Sequence, residues 1–382
     1  MKKILILLCL LLMIMPTIAC AQGTYSISEL HDMYDGQRWQ GEYHTARNET
    51  VVIDAPFLIP DVDAAPVIVV SAYPQLDQSF HDTYTSPDKK LRWQTYADSE
   101  PGFFRFGQYQ EFTIAPEDMT RIDFNEAWYT PEEMSADIVA ENSTINMMDA
   151  YEEALSIYDN VLNTYGIGAV ELVPRMAATL GLYREKDQKP LVDHRGYEFE
   201  FLQAIRGIPM LCNTGEYWPS SYQTNYRWES TYSPKATITI SSPGRFDLYG
   251  IFRQEEEVLY TDIPLTDFSK CQEKLVSMIE AGLVRQVRKI HLAYSLYTES
   301  SHNAHKTNRW VAVPTWIVDC EYYSSKDKEQ KKGYTEENYY HNQWNGFNYL
   351  MFNAQTGEFL DLKNTSKNRN DMPKIITWDK AK

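Results

Sequence analysis

The clearest alternation of apolar and polar residues along the chain has the period of an α-helix. Between residues 146 and 165, apolar or aromatic side chains recur at spacings of four and three, and Gly166 follows as a stop signal. The pattern recurs at 267–281, where Cys271 falls on the apolar side and Gly282 follows. We therefore predict two amphipathic helices, each with one face buried against another element.

Segments with the alternation of a half-buried strand follow each predicted helix. They lie at 197–210 and 236–252 after the first helix, and at 288–297, 310–320 and 348–362 after the second. A period of two places alternate side chains on the two faces of a sheet. Because the order of elements repeats, we predict two tandem modules, each a helix packed on a small antiparallel sheet.

The chain before the first module is expected to be rich in strands. Residues 65–125 carry short apolar runs broken by Pro and Asp, whereas residues 21–60 are polar and are interpreted as a tether with a short helical turn near Ser28–Tyr34. A further short helix is expected to begin at Thr130, which precedes Pro131. The predicted fold class is α+β, with two tandem helix-on-antiparallel-sheet modules after a β-rich N-terminal region.

One apolar run, at the N-terminus, is continuous and does not alternate. Lys2 and Lys3 precede the run Ile4–Met15, and Pro16 ends it before a series of small residues. A membrane-spanning helix needs about 20 apolar residues, so this run is too short and is typical of a secretion signal. The predicted divisions are a signal peptide (1–19), the tether and β-rich region (20–145), the first module (146–262), and the second module with a polar C-terminal tail (263–382).

The end of the signal resembles a bacterial lipobox. In the stretch Thr17-Ile18-Ala19-Cys20, a small residue precedes a cysteine. The resemblance implies that Cys20 is a lipid attachment site and that the mature protein is anchored to the outer face of the cell membrane. Ala19-Cys20-Ala21 also fits ordinary signal cleavage, which would release a secreted protein.

Charge and cysteine content narrow the possible roles. The formal net charge of −17 becomes −19 once Lys2 and Lys3 leave with the signal. A surface this acidic repels nucleic-acid backbones, so we expect no nucleic-acid partner. Cys212, Cys271 and Cys320 contain no CxxC pair and allow at most one disulfide within the chain, without indicating which two would pair.

The last predicted strands resemble a known kind of module. WVAVPTWIVDC (310–320) followed by FNAQTGEFLDL (352–362) is similar to the PepSY-like and YycI-like modules of extracytoplasmic proteins from Gram-positive bacteria. With the lipobox, residues 146–362 resemble a family of lipoproteins of unknown function from clostridia. The resemblance implies a hairpin in which Gly357 adopts a positive φ, and Asn353 replaces an Asp common in those modules. It also implies binding or regulation rather than catalysis.

Candidate catalytic chemistry is sparse in the sequence. His302 and His305 have a spacing that could share a metal on a helix, but they fall in a polar loop without a nearby acidic ligand. The acidic pair 132–133 is explained by helix capping, and the acidic run 255–257 by a solvated strand end. We therefore predict no catalytic residue, metal or cofactor. An envelope hydrolase acting on glycan or peptide is the alternative.

Two linkers are crowded with aromatic residues. The first aromatic linker (211–235) contains Tyr217 and Trp218, and the second aromatic linker (321–347) contains Tyr339, Tyr340 and Trp344. Aromatic rings with polar groups suit protein or glycan recognition, although such loops also pack over their own sheets. We predict an exported, lipid-anchored protein that binds or regulates an envelope protein or cell-wall glycan and is not an enzyme.

Overall fold

The computed structural model describes most of the chain after the predicted signal. The described residues are 24–46, 48–72, 83–85, 92–96, 103–108, 121–140, 143–164, 170–184, 196–211, 235–242, 245–298, 309–322, 348–360 and 375–378.

Three α-helices lie within the described residues: α1 Ile27–Tyr34, α2 Met147–Thr164 and α3 Ser269–Glu280. Both helices predicted from the 3.6-residue period are confirmed, and each starts and ends within two residues of the predicted bounds. A 3₁₀ turn at Pro131–Glu133 begins after Thr130, as predicted, and the Glu133 carboxylate accepts a hydrogen bond from the Thr130 N–H at 2.7 Å.

The ends of α1 and α3 are set by local hydrogen bonds. At the start of α1, the Ser26 hydroxyl accepts from the Glu29 N–H while the Glu29 carboxylate accepts from the Ser26 N–H. At the end of α3, Gly282 has φ +69°, its N–H bonds to the Ile279 carbonyl, and the Leu283 N–H bonds to the Met278 carbonyl. This is a Schellman end, which explains why a glycine stops the helix.

The strands in the described residues belong to two sheets and are numbered here in chain order. They are β1 Arg38–His44, β2 Thr50–Leu58, β3 Val67–Ala72, β4 Thr83–Thr85, β5 Arg92–Tyr96, β6 Phe103–Gln108, β7 Arg121–Tyr129, β8 Glu171–Arg184, β9 Gly196–Ile205, β10 Ile208–Pro209, β11 Lys235–Ser242, β12 Arg245–Ile251, β13 Arg253–Tyr260, β14 Val284–Thr298, β15 Arg309–Tyr322, β16 Asn348–Asn353 and β17 Phe359–Leu360.

Sheet A contains eight strands, in the order β1-β2-β14-β15-β16-β17, with β3 pairing with the other end of β15 and β13 pairing with β3. All of its pairs are antiparallel except the short parallel contact between β14 and β2. Sheet B contains nine strands, in the order β4-β5-β6-β12-β11-β9-β8-β7, with β10 paired to β9. The prediction of an α+β fold with helices on antiparallel sheets is therefore confirmed in its coarse form.

Each sheet has one face covered by helix. Helices α1 and α3 pack with one face of sheet A around a group of aromatic rings. The Trp316 ring is fully buried at the centre of this core, and its indole N–H donates to the Thr266 carbonyl at 3.0 Å. Helix α2 covers one face of sheet B, where Tyr197, Phe199 and Phe201 alternate along β9.

Residues 24–58 were expected to be part of a tether, but they belong to the folded body. Ile27 and Leu30 of α1 are fully buried, as is Ala55 of β2. The sequence analysis missed this because the outward positions of β1 and β2 are polar and masked the buried alternate positions. Strands β1 to β3 belong to sheet A. Strands β4 to β7 belong to sheet B, where β4 to β6 lie beside β12 and β7 lies beside β8.

Part of the predicted polar C-terminal tail also contacts the body. Residues 375–378 lie against sheet A, and the Ile375 side chain packs on the main core. The residues before and after this stretch are charged, which led the sequence analysis to interpret the whole tail as polar.

Across the described part of the chain, no helix combines the length and hydrophobicity that crossing a membrane requires.

Candidate functional site

The residues predicted to act from the sequence lie outside the described residues. This applies to Cys20, and to the histidines at 302 and 305. It also applies to the five aromatic residues of the two linkers: Tyr217, Trp218, Tyr339, Tyr340 and Trp344. The structure does describe the residues at which the two aromatic linkers join the sheets. Leu211 and Lys235 are the two ends of the first aromatic linker, and Asn348 directly follows the second.

These junctions meet where the uncovered faces of the two sheets contact each other. Leu211 and Leu202 pack there against Tyr349 and Met351 of β16. Beside them, Met210 forms a parallel bridge with Tyr294 of β14, and the Leu211 N–H donates to the Tyr294 carbonyl at 2.9 Å. The sheets are thus joined both by apolar packing and by backbone hydrogen bonds at the start of the first aromatic linker.

A set of charged and polar side chains, the intersheet cluster, surrounds this contact. It consists of Arg175, Glu200, Lys235, His291, Asp319 and Tyr349.

Glu200 is the central carboxylate of the intersheet cluster. One carboxylate oxygen accepts a hydrogen bond from Arg175, and the other accepts from the Lys235 ammonium at 2.7 Å. The side chains are almost buried, with exposed fractions of 9% for Arg175, 10% for Glu200 and 14% for Lys235. Glu200 therefore fixes Lys235, the end of the first aromatic linker, to the centre of sheet B.

Arg175 extends this network to sheet A and to the second aromatic linker. It is the extra residue of a β-bulge in β8, because Pro174 pairs with Phe201 and Met176 with Glu200. A bulge redirects a side chain, and here the guanidinium donates to both Glu200 and the Tyr349 hydroxyl. Its carbon lies 5.6 Å from the centre of the Tyr349 ring. Arg175 thus joins β8 to Tyr349, the second residue after the second aromatic linker.

Asp319 on β15 is the second buried carboxylate of the intersheet cluster. Burial raises its pKa, while the nearby cations Arg288, Arg175 and Lys289 act in the opposite direction. The Arg288 guanidinium lies 3.4 Å from the Asp319 carboxylate. Arg288, like Arg175, is the extra residue of a bulge, since Val287 pairs with Cys320 and Lys289 with Asp319.

His291 borders the same group of cations on β14. Burial, together with the positive charges of Lys289 and Arg175, lowers the pKa of His291 to about 3. The imidazole is therefore neutral at ordinary pH, because a third positive charge at this place would be repelled and poorly solvated.

The hydrogen bonds of the intersheet cluster indicate that it fixes the positions of the strands that carry it. Both oxygens of Glu200 are engaged by cationic donors, and buried, hydrogen-bonded charges of this kind fix the geometry of the groups that carry them. Thr237, the register partner of Glu200 on β11, is fully buried, and its hydroxyl has no hydrogen-bond partner among the described residues. The intersheet cluster is thus a common base that joins Lys235, at the end of the first aromatic linker, to Tyr349, just after the second.

The intersheet cluster was not predicted from the sequence, and neither was β8, the strand that carries Arg175. The usable signal is a charged residue on both sides of aromatic ones, as in YEFEFL (197–202), or at the end of an apolar run, as in Asp319. A charged side chain inside a strand with two buried faces requires a partner on a neighbouring strand or in the facing sheet. The sequence cannot say which partner, since the residues that meet are 25 to 174 positions apart.

Metal and thiol chemistry is not indicated at the described positions. Within the described ranges, no three His, Cys, Asp or Glu side chains are grouped as metal ligands. Cys271 is buried on α3, which confirms its predicted place on the apolar side of the helix; its thiol is free, and burial raises its pKa.

Comparison with known proteins adds little at the level of family. No protein-family model matches the chain, and no curated protein matches its sequence. Among solved structures, an uncharacterised protein from Eubacterium rectale is similar at 15% identity and a TM-score of 0.46, over 87% of this chain and 97% of that chain.

Proposed function

We propose that this protein is exported, is anchored to the outer face of the cell membrane through a lipid on Cys20, and binds an envelope partner without catalysing a reaction. The aromatic linkers form the binding surface, and the partner is an envelope protein or a cell-wall glycan. The observation that supports this most is the meeting of linker junctions at one rigid base, where Lys235 and Tyr349 are bound to the same Glu200–Arg175 pair.

The proposal explains why the base is both charged and buried. Recognition by Tyr and Trp side chains gains affinity when the rings are held in place before binding, since less conformational entropy is then lost. Two linkers that leave from one fixed network can present one shared surface, which is larger than either linker alone offers.

We further propose that the two helix-on-sheet modules are copies of one unit. After α2, the strands β8, β9, β11 and β12 are neighbours in that order, and after α3 the strands β14, β15, β16 and β17 are neighbours in the same way. In each unit the aromatic linker joins the second strand of this set to the third, apart from the short β10 in the first unit. Equivalent positions of the two linkers support a common role.

The anchoring part of the proposal is tested at Cys20. In the native bacterium, Cys20→Ala should move the protein from the membrane fraction to the medium, because the lipid is the only attachment proposed. Ser28→Ala, close to the signal in sequence, is the control and should stay in the membrane fraction. If Cys20→Ala also stays there, lipid attachment at this cysteine is refuted.

The binding part is tested with the soluble chain that starts after Cys20. This form should co-sediment with either cell-wall sacculi or envelope membranes, and Tyr217→Ala or Tyr339→Ala should weaken that binding about tenfold. Tyr260→Ala is the matched control, because Tyr260 is exposed on β13, away from the linker junctions. Equal binding by all three variants would contradict a role for the linkers. Release of soluble glycan or peptide fragments would instead favour the envelope hydrolase.

A further inference from the structure

Residues 375–378 contact the body in a way that resembles a bound peptide. The stretch is separated from β17 by fourteen residues, and it forms no helix or strand of its own. Its Ile376 backbone nevertheless bonds to Gln355, in the turn between β16 and β17, and its Ile375 side chain packs on the main core.

A single buried glutamine makes the polar contacts. The Gln355 side-chain oxygen accepts from the Ile376 N–H at 2.8 Å, and the side-chain nitrogen donates to the Ile376 carbonyl. The same nitrogen also donates to the Pro264 carbonyl at 3.0 Å. An amide that pairs with both backbone groups of one residue imitates a neighbouring β-strand, so it recognises extended backbone regardless of side chain.

Gln355 is held ready for this contact by the turn between β16 and β17. The Asn353 side-chain oxygen accepts from the Gln355 N–H at 2.8 Å, and the Thr266 N–H donates to the Ala354 carbonyl at 2.7 Å. Gln355 is only 7% exposed, so its amide has exchanged water for these partners. A polar side chain buried in this way requires an occupant to satisfy it.

Two neighbouring side chains of the bound stretch differ in burial: Ile375 is an apolar anchor, whereas Ile376 is exposed. The Ile375 side chain packs on the main core, whereas Ile376 is 45% exposed and points away from the body. The body therefore contacts one apolar side chain, that of Ile375, and the backbone of the next residue, Ile376. We name Gln355, Asn353 and Pro264 the tail-binding site.

We propose that the tail-binding site is a recognition site for an extended peptide of another protein chain that carries an isoleucine-like anchor, and that this chain's own Ile375–Trp378 segment occupies it as an internal competitor. A covalently joined competitor acts at an effective concentration of about 1 mM, so it weakens the binding of an added peptide whenever its own Kd for the site is below that value. The proposal does not depend on lipid attachment or on the aromatic linkers.

The test measures binding of a labelled synthetic peptide, PKIITW (373–378), to full-length variants. Ile375→Ala removes the anchor of the internal segment and should open the site, so this variant should bind the peptide about tenfold more tightly than wild type does. Ile376→Ala is the matched control, because its side chain is exposed, and it should bind as weakly as wild type. Circular dichroism spectra check that each variant is folded.

Two changes then test the recognised groups. A peptide methylated on the Ile376 nitrogen lacks the N–H that Gln355 accepts, and it should bind the Ile375→Ala variant at least tenfold more weakly. Adding Gln355→Glu, which cannot donate to the two carbonyls, should do the same to the unmodified peptide. Equal binding by the methylated peptide, or equal binding of PKIITW by wild type and Ile375→Ala, would overturn the proposal.

A measurement on the wild-type fold keeps the proposal testable if Ile375→Ala is unstable. Hydrogen exchange of the Ile376 amide should be protected in wild type, and an excess of PKIITW should speed it by displacing the internal segment. Exchange that is unaffected by peptide would also overturn the proposal.

Discussion

Glu200 shows how one buried carboxylate can hold two cations from its neighbouring strands in sheet B. It lies between two cations, Arg175 and Lys235, where water has little access. Removing one member of such a group leaves the others buried without their counter-charge, which costs far more than losing an exposed ion pair. The same reasoning applies to Asp319, whose pKa is raised by burial.

We expect Glu200→Ala to lower the free energy of unfolding by about 3 to 5 kcal/mol, because Arg175 and Lys235 lose this counter-charge inside the protein. Glu255→Ala is the control, since Glu255 pairs with Arg206 at the surface and should cost less than about 1 kcal/mol. Urea unfolding followed by circular dichroism measures both. Equal losses for the two variants would show that the buried Glu200 network does not stabilise the fold more than an exposed ion pair does.

His291 gives the fold a dependence on pH. The folded chain protonates this imidazole only near pH 3, whereas the unfolded chain does so near pH 6.5, so the unfolded state binds more protons between these values. Stability is therefore full above about pH 6.5 and falls as the pH is lowered, by at most about 1.4 kcal/mol per pH unit from this group.

His291→Gln should flatten this decrease, because a glutamine does not take up a proton. Unfolding free energies at about pH 7 and pH 5 measure the slope. The exposed His44→Gln is the control for the substitution itself. A slope in His291→Gln as steep as in wild type would mean that other groups cause the acid sensitivity.

The sequence alone predicted the conformation of some residues but not the partners of others. Gly357 was predicted to have a positive φ from the resemblance of the NAQTGE turn to the PepSY hairpin, and its φ is +73°. That prediction needs only local information, because turn geometry depends on a few neighbouring residues. The partners of Glu200 depend on which strands lie beside β9 in sheet B, and no local pattern indicates that.

At the scale of elements, both module helices and most module strands were predicted, but β8 (Glu171–Arg184) was not. Helices and strands bury one face, so their apolar residues recur with periods of 3.6 and 2 that can be recognised in the sequence. Strands β1 and β2 were missed because polar residues occupy their outward positions, and the alternation was interpreted as a tether. The hairpin between β16 and β17, predicted from its resemblance to PepSY modules, is confirmed by the pairing of Met351 with Leu360.

The turn at Gly357 also brings sheet A close to α3, which yields a prediction. A Cβ at Gly357 would lie 2.6 Å from the Lys270 Cβ, whereas a Cβ at Gly282 has no atom within 4 Å. Both glycines have a positive φ, so Gly282→Ala should cost about 1 kcal/mol and Gly357→Ala about 2 to 4 kcal/mol. Thermal unfolding of the two variants tests this order. A Gly282→Ala loss as large as that of Gly357→Ala would contradict the close approach.

The fold of the whole molecule depends on pairing between strands that are distant in the chain, and these pairings could not be predicted from the sequence. Strand β3 joins β13 and β15, which follow it by about 180 and 240 residues, and the two sheets meet through β9 and β16. Many pairings of strands satisfy the same alternation, so the period predicts strands but not their neighbours. The intersheet cluster is the feature of the whole molecule that the account of function depends on.

The most direct test of that account is site-specific photo-crosslinking in the native envelope. A photoreactive phenylalanine replaces Tyr217 or Tyr339, one in each aromatic linker, and Val52 serves as control because it is 70% exposed on β2. If the two linkers form one binding surface, both linker positions should yield the same crosslinked partner and Val52 should not. Different partners at the two linkers, or the same product from Val52, would contradict a shared surface.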